Sequence, residues 1–246
     1  MADGVVGRVA ALLGAFTAVA PELGLAALAR RSGLPLTTVH RLAAQLVAVG
    51  ALERDPASGR YRVGVRLWEV GALAPRAHGL RQVALPFLED LYEATHENVQ
   101  LSVLDGVEAL CVERFSGRSA VQLVGRAGGR LPLHASAGGQ VLLAHAGAEC
   151  LDAVLAAGLT RFTARTPATE HALRGALATI RRDGVVVCDR QLDDRSVAVA
   201  APVYAGEEVV AALSVVFDAG TSATPLVPAV RAAARGISRT LLTAFR

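Results

Sequence analysis

Residues 25–42 read LAALARRSGLPLTTVHRL. A helix-turn-helix needs a small residue where its two helices touch, a glycine in the turn and a branched apolar residue in the second helix. Ala29, Gly33 and Val39 provide these residue types in that order. Leucines fill the other core positions: Leu28, Leu34 and Leu42. The pattern therefore predicts two short packed helices, a unit that many DNA-binding proteins use.

The neighbouring segments extend this unit on both sides. Apolar residues recur at helical spacing over residues 5–16, which predicts a first helix. Pro35 suits the first turn of the helix that follows the glycine, and that helix is expected to end near Gly50. Two alternating segments, 51–54 and 60–63, then flank a turn-rich tip and predict a β-hairpin. Three helices followed by a hairpin predict a winged helix-turn-helix.

Positive charge is concentrated in the same part of the chain. Residues 1–64 contain seven arginines and four acidic residues, whereas residues 65–246 contain 18 of each. The net charge of +3 therefore comes from the first quarter of the chain. Such a distribution is expected when one part of a protein binds phosphates and the rest does not.

Polar side chains are predicted on the outer face of the helix that begins after Pro35. With the apolar stripe turned inward, that face presents Thr37, Thr38, His40, Arg41 and Gln45. Arg41 is suited to a guanine edge and Gln45 to an adenine edge in the major groove. Arg60 and Arg62 put positive charge on the hairpin, where a wing contacts the DNA backbone or the minor groove. The alternative is an ordinary polar helix face with solvated arginines, but spacing, hairpin and charge together favour DNA binding.

The remainder of the chain changes in character. Residues 67–73 predict a linker helix, and the apolar spacing from Leu80 predicts a further helix that Pro86 kinks or restarts. Runs rich in β-branched residues predict strands at 99–104, 109–115, 121–124, 185–189, 197–203 and 209–217. Helical patterns occupy 138–146, 172–182 and 226–242. This mixture predicts an α+β domain with an antiparallel or mixed sheet flanked by helices.

Composition disfavours several classes of protein. The three cysteines and six histidines show no metal-ligand spacing, and we expect neither a metal nor a cofactor. The longest uncharged stretch, residues 131–148, contains proline, glycine and histidine and does not predict a membrane span. The uncharged segment 9–21 imitates a secretory leader, but a single arginine precedes it, and we interpret it as part of the first helix. We expect a cytoplasmic protein that does not bind membranes.

Two alternative functions remain open. The sequence HASAG at residues 134–138 partly imitates the nucleophile elbow of a serine hydrolase, with Ser136 as the nucleophile. The first glycine of that motif is missing and the preceding strand is short, so we do not expect an enzyme. A DNA-binding protein that needs no ligand is the second alternative. The charge-balanced residues 65–246 argue against it, because they far exceed the size of a dimerisation module.

Several motifs closely resemble the isocitrate lyase regulator (IclR) family. They occur in the family's order over nearly the whole chain: residues 25–42, YRVG at 61–64, HASAGG at 134–139, AAPV at 200–203 and AALS at 211–214. The resemblance implies a winged helix-turn-helix at residues 1–64, a linker helix at 65–79 and a GAF-like effector-binding domain at 80–246. It also implies a homodimer or dimer of dimers on a roughly palindromic DNA operator, acting as a repressor of metabolic or catabolic genes.

An acidic effector is predicted at residues 136–139, SAGG, which directly precede an apolar helical run. Free backbone amides and the helix dipole at such a start favour a carboxylate, although the glycines would equally serve tight packing of the helix. The resemblance implies a pocket lined by Leu123, Leu131, Ala137, Gly138, Cys188, Ala198 and Ser214. Ala198 and Val216 replace polar groups of some relatives, and residues 188–191 replace an acidic segment, so the ligand's identity does not transfer. The few polar candidates favour a mostly apolar carboxylate, such as an aromatic acid.

Overall fold

A computed structural model describes residues 4–17, 19–73, 75–117 and 127–244. The chain divides into two compact units, residues 1–78 and 79–246. The first unit has one hydrophobic core, and the second has a core on each face of its sheet. The division falls beside residue 79, where the predicted linker ends.

The first unit combines helices with a small antiparallel sheet. Its elements are α1 (Val5–Leu13), β1 (Glu22–Leu23), α2 (Leu25–Ser32), α3 (Leu36–Ala48), β2 (Leu52–Arg54), β3 (Tyr61–Val63) and α4 (Val65–Ala72). The strand order is β1-β3-β2. The predicted winged helix-turn-helix, with its hairpin β2–β3, is confirmed.

The core of the first unit explains its helix pattern. Leu12 of α1, Leu28 of α2 and Leu42 of α3 are buried together. Segment 9–21 therefore contributes to this core. Gly33 ends α2 with φ of 69°, a left-handed conformation that glycine adopts without steric cost, so the chain can turn sharply into α3.

The second unit is built on a six-stranded sheet. Its elements are α5 (Pro75–Thr95), β4 (Asn98–Asp105), β5 (Glu108–Phe115), β6 (Arg130–Pro132), α6 (Ala137–His145), α7 (Ala148–Ala157), α8 (Glu170–Asp183), β7 (Val186–Asp189), β8 (Ser196–Ala205), β9 (Glu208–Asp218) and α9 (Leu226–Ala244). The strand order is β6-β5-β4-β9-β8-β7, and every described pair is antiparallel. The predicted α+β class is confirmed, and its sheet is antiparallel in the described part of the chain.

Some elements differ from the prediction. β1, β6 and α7 were not expected, and the two strands have only two and three residues, too few for alternation to show. Pro86 lies inside α5, which continues as one helix, so the expected restart at this proline is wrong. The predicted strand at residues 121–124 lies outside the described residues.

Alternation along the strands gives the sheet two different faces. On β8, Val199 and Ala201 point to the core shared with α5 and α9. Ala198 and Ala200 point to the opposite face, which α6 and α8 cover. Residues 137–144 of α6 are all buried, which explains why this helix lacks an amphipathic pattern.

Candidate DNA-binding surface and effector cavity

The outer face of α3 carries the predicted DNA-contacting side chains. The exposed ones are Thr37, His40, Arg41 and Gln45, and Thr38 is half-buried. No hydrogen bond or ion pair joins these side chains to another residue in the part of the chain that the structure describes. The opposite face of α3 is fixed by buried Val39, Leu42 and Ala43. The helix therefore has an anchored side and a polar side that is open to solvent.

The tip of the hairpin is held by its own polar groups. Asp55 Oδ1 accepts hydrogen bonds from the amides of Ala57 (2.7 Å) and Ser58 (2.9 Å). The hydrogen bonds from the backbone amides of Ser58 and Ala57 hold the pKa of the Asp55 carboxyl below its usual value. Arg54 lies over the Tyr61 ring, 5.7 Å from its centroid. These contacts give the wing a defined shape next to the helix pair.

The two predicted wing arginines have different surroundings. Arg62 Nε donates to Glu53 Oε2 at 2.8 Å, and an Arg62 nitrogen lies 3.8 Å from Glu22 Oε1. The hydrogen bond to Glu53 also raises the pKa of Arg62. Arg60 is exposed and donates to the backbone carbonyl of Glu22 at 3.3 Å. No described carboxylate forms an ion pair with Arg60, whereas two carboxylates balance the charge of Arg62.

A cleft opens on the α6 face of the six-stranded sheet. Together with its open mouth it encloses about 590 Å³. Six of the seven predicted effector residues line it: Leu131, Ala137, Gly138, Cys188, Ala198 and Ser214. The seventh, Leu123, lies outside the described residues. Five polar residues of the lining were not predicted to lie in the effector pocket: Gln100, Ser102, Gln191, Asp193 and Ser196.

The first turn of α6 forms one wall of this cleft. Ser136 caps the helix, since its hydroxyl accepts from the Gly139 amide at 3.2 Å and donates to the Pro132 carbonyl at 2.7 Å. The amides of Ala137 and Gly138 donate to no acceptor among the described residues. The helix start therefore presents two free donors and the positive end of its dipole. The Ser136 hydroxyl therefore caps the helix and is not a nucleophile.

The two glycines after Ala137 have different steric constraints. A Cβ on Gly139 would lie 2.5 Å from Ser136 Oγ and 2.7 Å from Leu133 Cα, closer than atoms can pack. A Cβ on Gly138 would meet Ser102 Oγ at 3.7 Å and Ala212 Cβ at 3.8 Å, which are ordinary contacts. Packing therefore requires glycine at position 139 and leaves position 138 free to line the cleft.

Three buried donors lie on the sheet beneath this turn. Gln100, Ser102 and Ser214 are at most 3% exposed. Gln100 on β4 stands opposite Ser214 on β9, and Ser102 is two residues further along β4 on the same face. None of the three side chains forms a hydrogen bond with another described residue. The fully buried side-chain atoms that lack a partner in the described part of the chain are others, Arg8 Nε and Gln140 Oε1. The polar groups of Gln100, Ser102 and Ser214 therefore face the open space of the cleft, where a bound molecule would be their partner.

The other end of the cleft is acidic. Asp193 Oδ1 accepts from the amides of Arg195 (2.9 Å) and Ser196 (2.8 Å), and Oδ2 accepts from the Ser196 hydroxyl at 2.6 Å. Between the two ends the wall is apolar, with Ala198, Val216 and Cys188. Burial raises the pKa of the Cys188 thiol to about 12, so this sulfur is a neutral part of the wall.

Neither a metal nor a membrane is suggested by the described part of the chain. There, no group of three or more histidine, cysteine, aspartate and glutamate side chains is arranged to hold a metal ion. None of the described helices has the length and apolar character needed to cross a bilayer.

Comparisons with known proteins match both units. The model of the IclR helix-turn-helix domain matches residues 5–56, and that of the bacterial transcriptional regulator IclR C-terminal domain matches residues 73–239. The chain is 35% identical over 209 residues to the HTH-type transcriptional regulator XynR of Escherichia coli (strain K12). This alignment covers 84% of this chain and 83% of that protein. It is 33% identical over 193 residues to the HTH-type transcriptional regulator KipR of Bacillus subtilis (strain 168), at 78% and 77% coverage.

A solved structure of similar sequence covers almost the whole chain. It is an IclR homolog from Microbacterium hydrocarbonoxydans in complex with 4-hydroxybenzoate. It shares 38% of its sequence with this protein, superposes with a TM-score of 0.92 and covers 97% of this chain and 99% of its own. The matched domains and relatives are those of regulators and not of enzymes. The chain therefore belongs to the IclR family of bacterial transcriptional regulators and is a DNA-binding regulator with a C-terminal effector domain.

Proposed function

We propose that the protein is a repressor of metabolic or catabolic genes that binds a roughly palindromic operator as a homodimer or dimer of dimers and responds to a small aromatic carboxylate. It acts in the cytoplasm, where the bacterial chromosome lies. The observation that carries the proposal is the cleft of the second unit. There, buried donors without described partners and free helix amides meet an apolar wall. Such a site suits an apolar acid better than it suits a structural role.

The DNA contacts are assigned to α3 and to the wing. We assign Arg41 a bidentate contact with a guanine edge and Gln45 a contact with an adenine edge. Thr37, Thr38 and His40 lie near the start of α3 and are assigned to phosphates and neighbouring base edges. On the wing, Arg60 is the better phosphate ligand. Arg62 would first have to leave Glu53, so we assign it the weaker contact.

The aromatic effector is supported by the apolar middle of the cleft. Leu131, Ala198 and Val216 offer surface for a ring between the two polar ends. The structure from M. hydrocarbonoxydans, 38% identical to this chain, holds 4-hydroxybenzoate. We therefore take benzoic acids as the effector class. Binding would change the effector units of the dimer and alter the spacing of the two DNA-binding units.

The test measures DNA binding with and without the acid. A fluorescent duplex carrying the region upstream of the protein's own gene is titrated with the full chain, in buffer and in 4-hydroxybenzoate. We expect saturable, salt-sensitive binding whose affinity the acid changes. Arg41→Ala should weaken specific binding by about 10-fold or more, the worth of a bidentate base contact. Arg239→Ala is the matched control, since Arg239 is exposed on α9 in the second unit.

Two results would contradict the proposal. Equal losses for Arg41→Ala and Arg239→Ala would show that α3 does not read the operator. DNA binding that no benzoic acid affects would favour a DNA-binding protein that needs no ligand.

A further inference from the structure

The two polar ends of the effector cleft differ in hydrogen-bonding character. Gln100, Ser102 and Ser214 can all donate, and the free amides of Ala137 and Gly138 only donate. This end, the donor end, offers an anion several hydrogen bonds from groups that have no partner in the described residues. A carboxylate accepts about four hydrogen bonds and matches it.

The Asp193 end has the opposite character. A carboxylate has about four acceptor positions, and the described hydrogen bonds occupy three of those on Asp193. The position that remains, on Oδ2, accepts one more donor. An effector carboxylate is repelled here by the like charge, whereas a hydroxyl or amino group forms a charge-assisted hydrogen bond.

The register of the strands sets the distance between the ends. Ser214 stands opposite Ala200, and Ser196, the partner of Asp193, is four residues from Ala200 along β8. At about 3.3 Å per residue the Cα atoms of the two rows lie roughly 13 Å apart. Side chains stand roughly perpendicular to a sheet, so we take the same separation for the polar groups that the two rows carry. A hydrogen bond of about 2.8 Å at each end leaves roughly 7 Å for the ligand's own polar atoms. A benzene ring substituted at para positions spans that length, and an ortho-substituted ring is too short.

We propose that the effector is a para-substituted aromatic acid with a hydrogen-bond donor opposite its carboxylate, and that Asp193 is the residue that selects for this donor. The carboxylate lies at the donor end, the ring lies against Ala198 and Val216, and the para group donates to Asp193 Oδ2. This assignment rests on the proposed function, since it requires that the cleft binds a benzoic acid.

The test compares three acids of similar size by calorimetry on the full chain. 4-Hydroxybenzoate and 4-aminobenzoate carry a donor at the para position, and 4-fluorobenzoate does not. We expect 4-hydroxybenzoate and 4-aminobenzoate to bind at least about tenfold more tightly than 4-fluorobenzoate, because each gains a hydrogen bond to a charged group. In Asp193→Asn the new amide should oppose the amino group of 4-aminobenzoate and remove its advantage, while 4-fluorobenzoate binds as before. Asparagine keeps an oxygen for the amides of Arg195 and Ser196, so this variant should fold.

Ser214→Ala is the matched variant at the donor end. It should weaken binding of all three acids by a similar factor and leave their ratios unchanged. Affinities of the three acids for the wild-type protein within threefold of each other would overturn the role of Asp193 and leave the proposed function intact. Unchanged ratios in Asp193→Asn would do the same. If none of the three acids binds, both this assignment and the proposed effector class are wrong.

Discussion

Gly138 and Gly139 are adjacent in the chain but serve different purposes. Gly139→Ala would drive a methyl group into Ser136 Oγ and the backbone at Leu133, so we expect it to lower the free energy of unfolding by about 1–3 kcal/mol. Gly138→Ala would place its methyl at ordinary contact distance from Ser102, inside the cleft. We expect this variant to keep its stability and to bind 4-hydroxybenzoate at least about threefold more weakly. Urea unfolding and calorimetry on both variants measure this. Equal destabilisation by both would show that the glycines serve packing alone.

The three cysteine thiols should differ in reactivity. Burial raises the pKa of Cys188 to about 12 and that of Cys111 to about 11, so at pH 8 both are almost wholly protonated. Cys150 is only half-buried, and burial raises its pKa less. Since the thiolate is the reacting form, a disulfide reagent at pH 8 should label Cys150 first. Cys150→Ser should remove this fast phase. Fast labelling of Cys188 in the native protein would contradict the burial of this thiol in the cleft wall.

At the scale of residues, the sequence leads to only part of the site. The SAGG segment, with its capping serine and glycines, is recognisable because helix starts have a local signature. Gln100 and Ser102 are visible only as polar positions that alternate with apolar ones in the segment NVQLSVL. That alternation also describes a strand with one face in water, and only the α6 cover shows that this face is buried. Asp193 lies in a loop whose fold no local pattern predicts.

Elements with a strong period were predicted well, whereas β1, β6 and α7 were not. α2 and α3 follow from apolar spacing and from the glycine between them. β1 exists because β3 supplies hydrogen bonds to Glu22 and Leu23 from residues far along the chain. α7 is rich in alanine and leucine, so its composition favours a helix, but its apolar residues do not form a clear stripe. Tertiary contacts, absent from local sequence, decide such cases.

The junction of the wing with α4 depends on Gly64. A Cβ at this position would lie 2.1 Å from the carbonyl oxygen of Gly50, where the hairpin begins. Gly64→Ala should therefore separate the two segments and lower the free energy of unfolding by about 1–3 kcal/mol. Gly71→Ala is the control within α4, because a Cβ there meets nothing within 4 Å. The control should be stabilised by up to about 1 kcal/mol through helix propensity. Urea denaturation measures both changes, and an unaffected Gly64→Ala would refute the close approach.

At the scale of the whole molecule, four exposed apolar side chains on α4 and its flanks support the proposed homodimer. Val65, Trp68, Val70 and Leu73 are all more than half exposed, and Trp68 reaches 71%. Several exposed apolar side chains within one short segment often mark an interface, since water contact with them is unfavourable. A second copy is the partner that a two-fold operator requires, because each half-site needs one helix-turn-helix.

Trp68 therefore provides a direct test, as the only tryptophan in the chain. In the dimer its indole should be shielded and emit at shorter wavelength, and dilution to monomer should shift the emission towards that of indole in water. Trp68→Glu should raise the dimer dissociation constant at least about tenfold in light-scattering measurements, because a charge would then be buried in an apolar interface. Val107→Glu is the matched control, at an exposed apolar position in the turn between β4 and β5 of the second unit.

A wild-type protein that stays monomeric at micromolar concentration, or a Trp68→Glu variant that dimerises normally, would show that this surface does not join the two copies. Loss of operator affinity in Trp68→Glu alone would then connect dimerisation with DNA binding, since α4 adjoins the wing and carries none of the residues assigned to DNA contact.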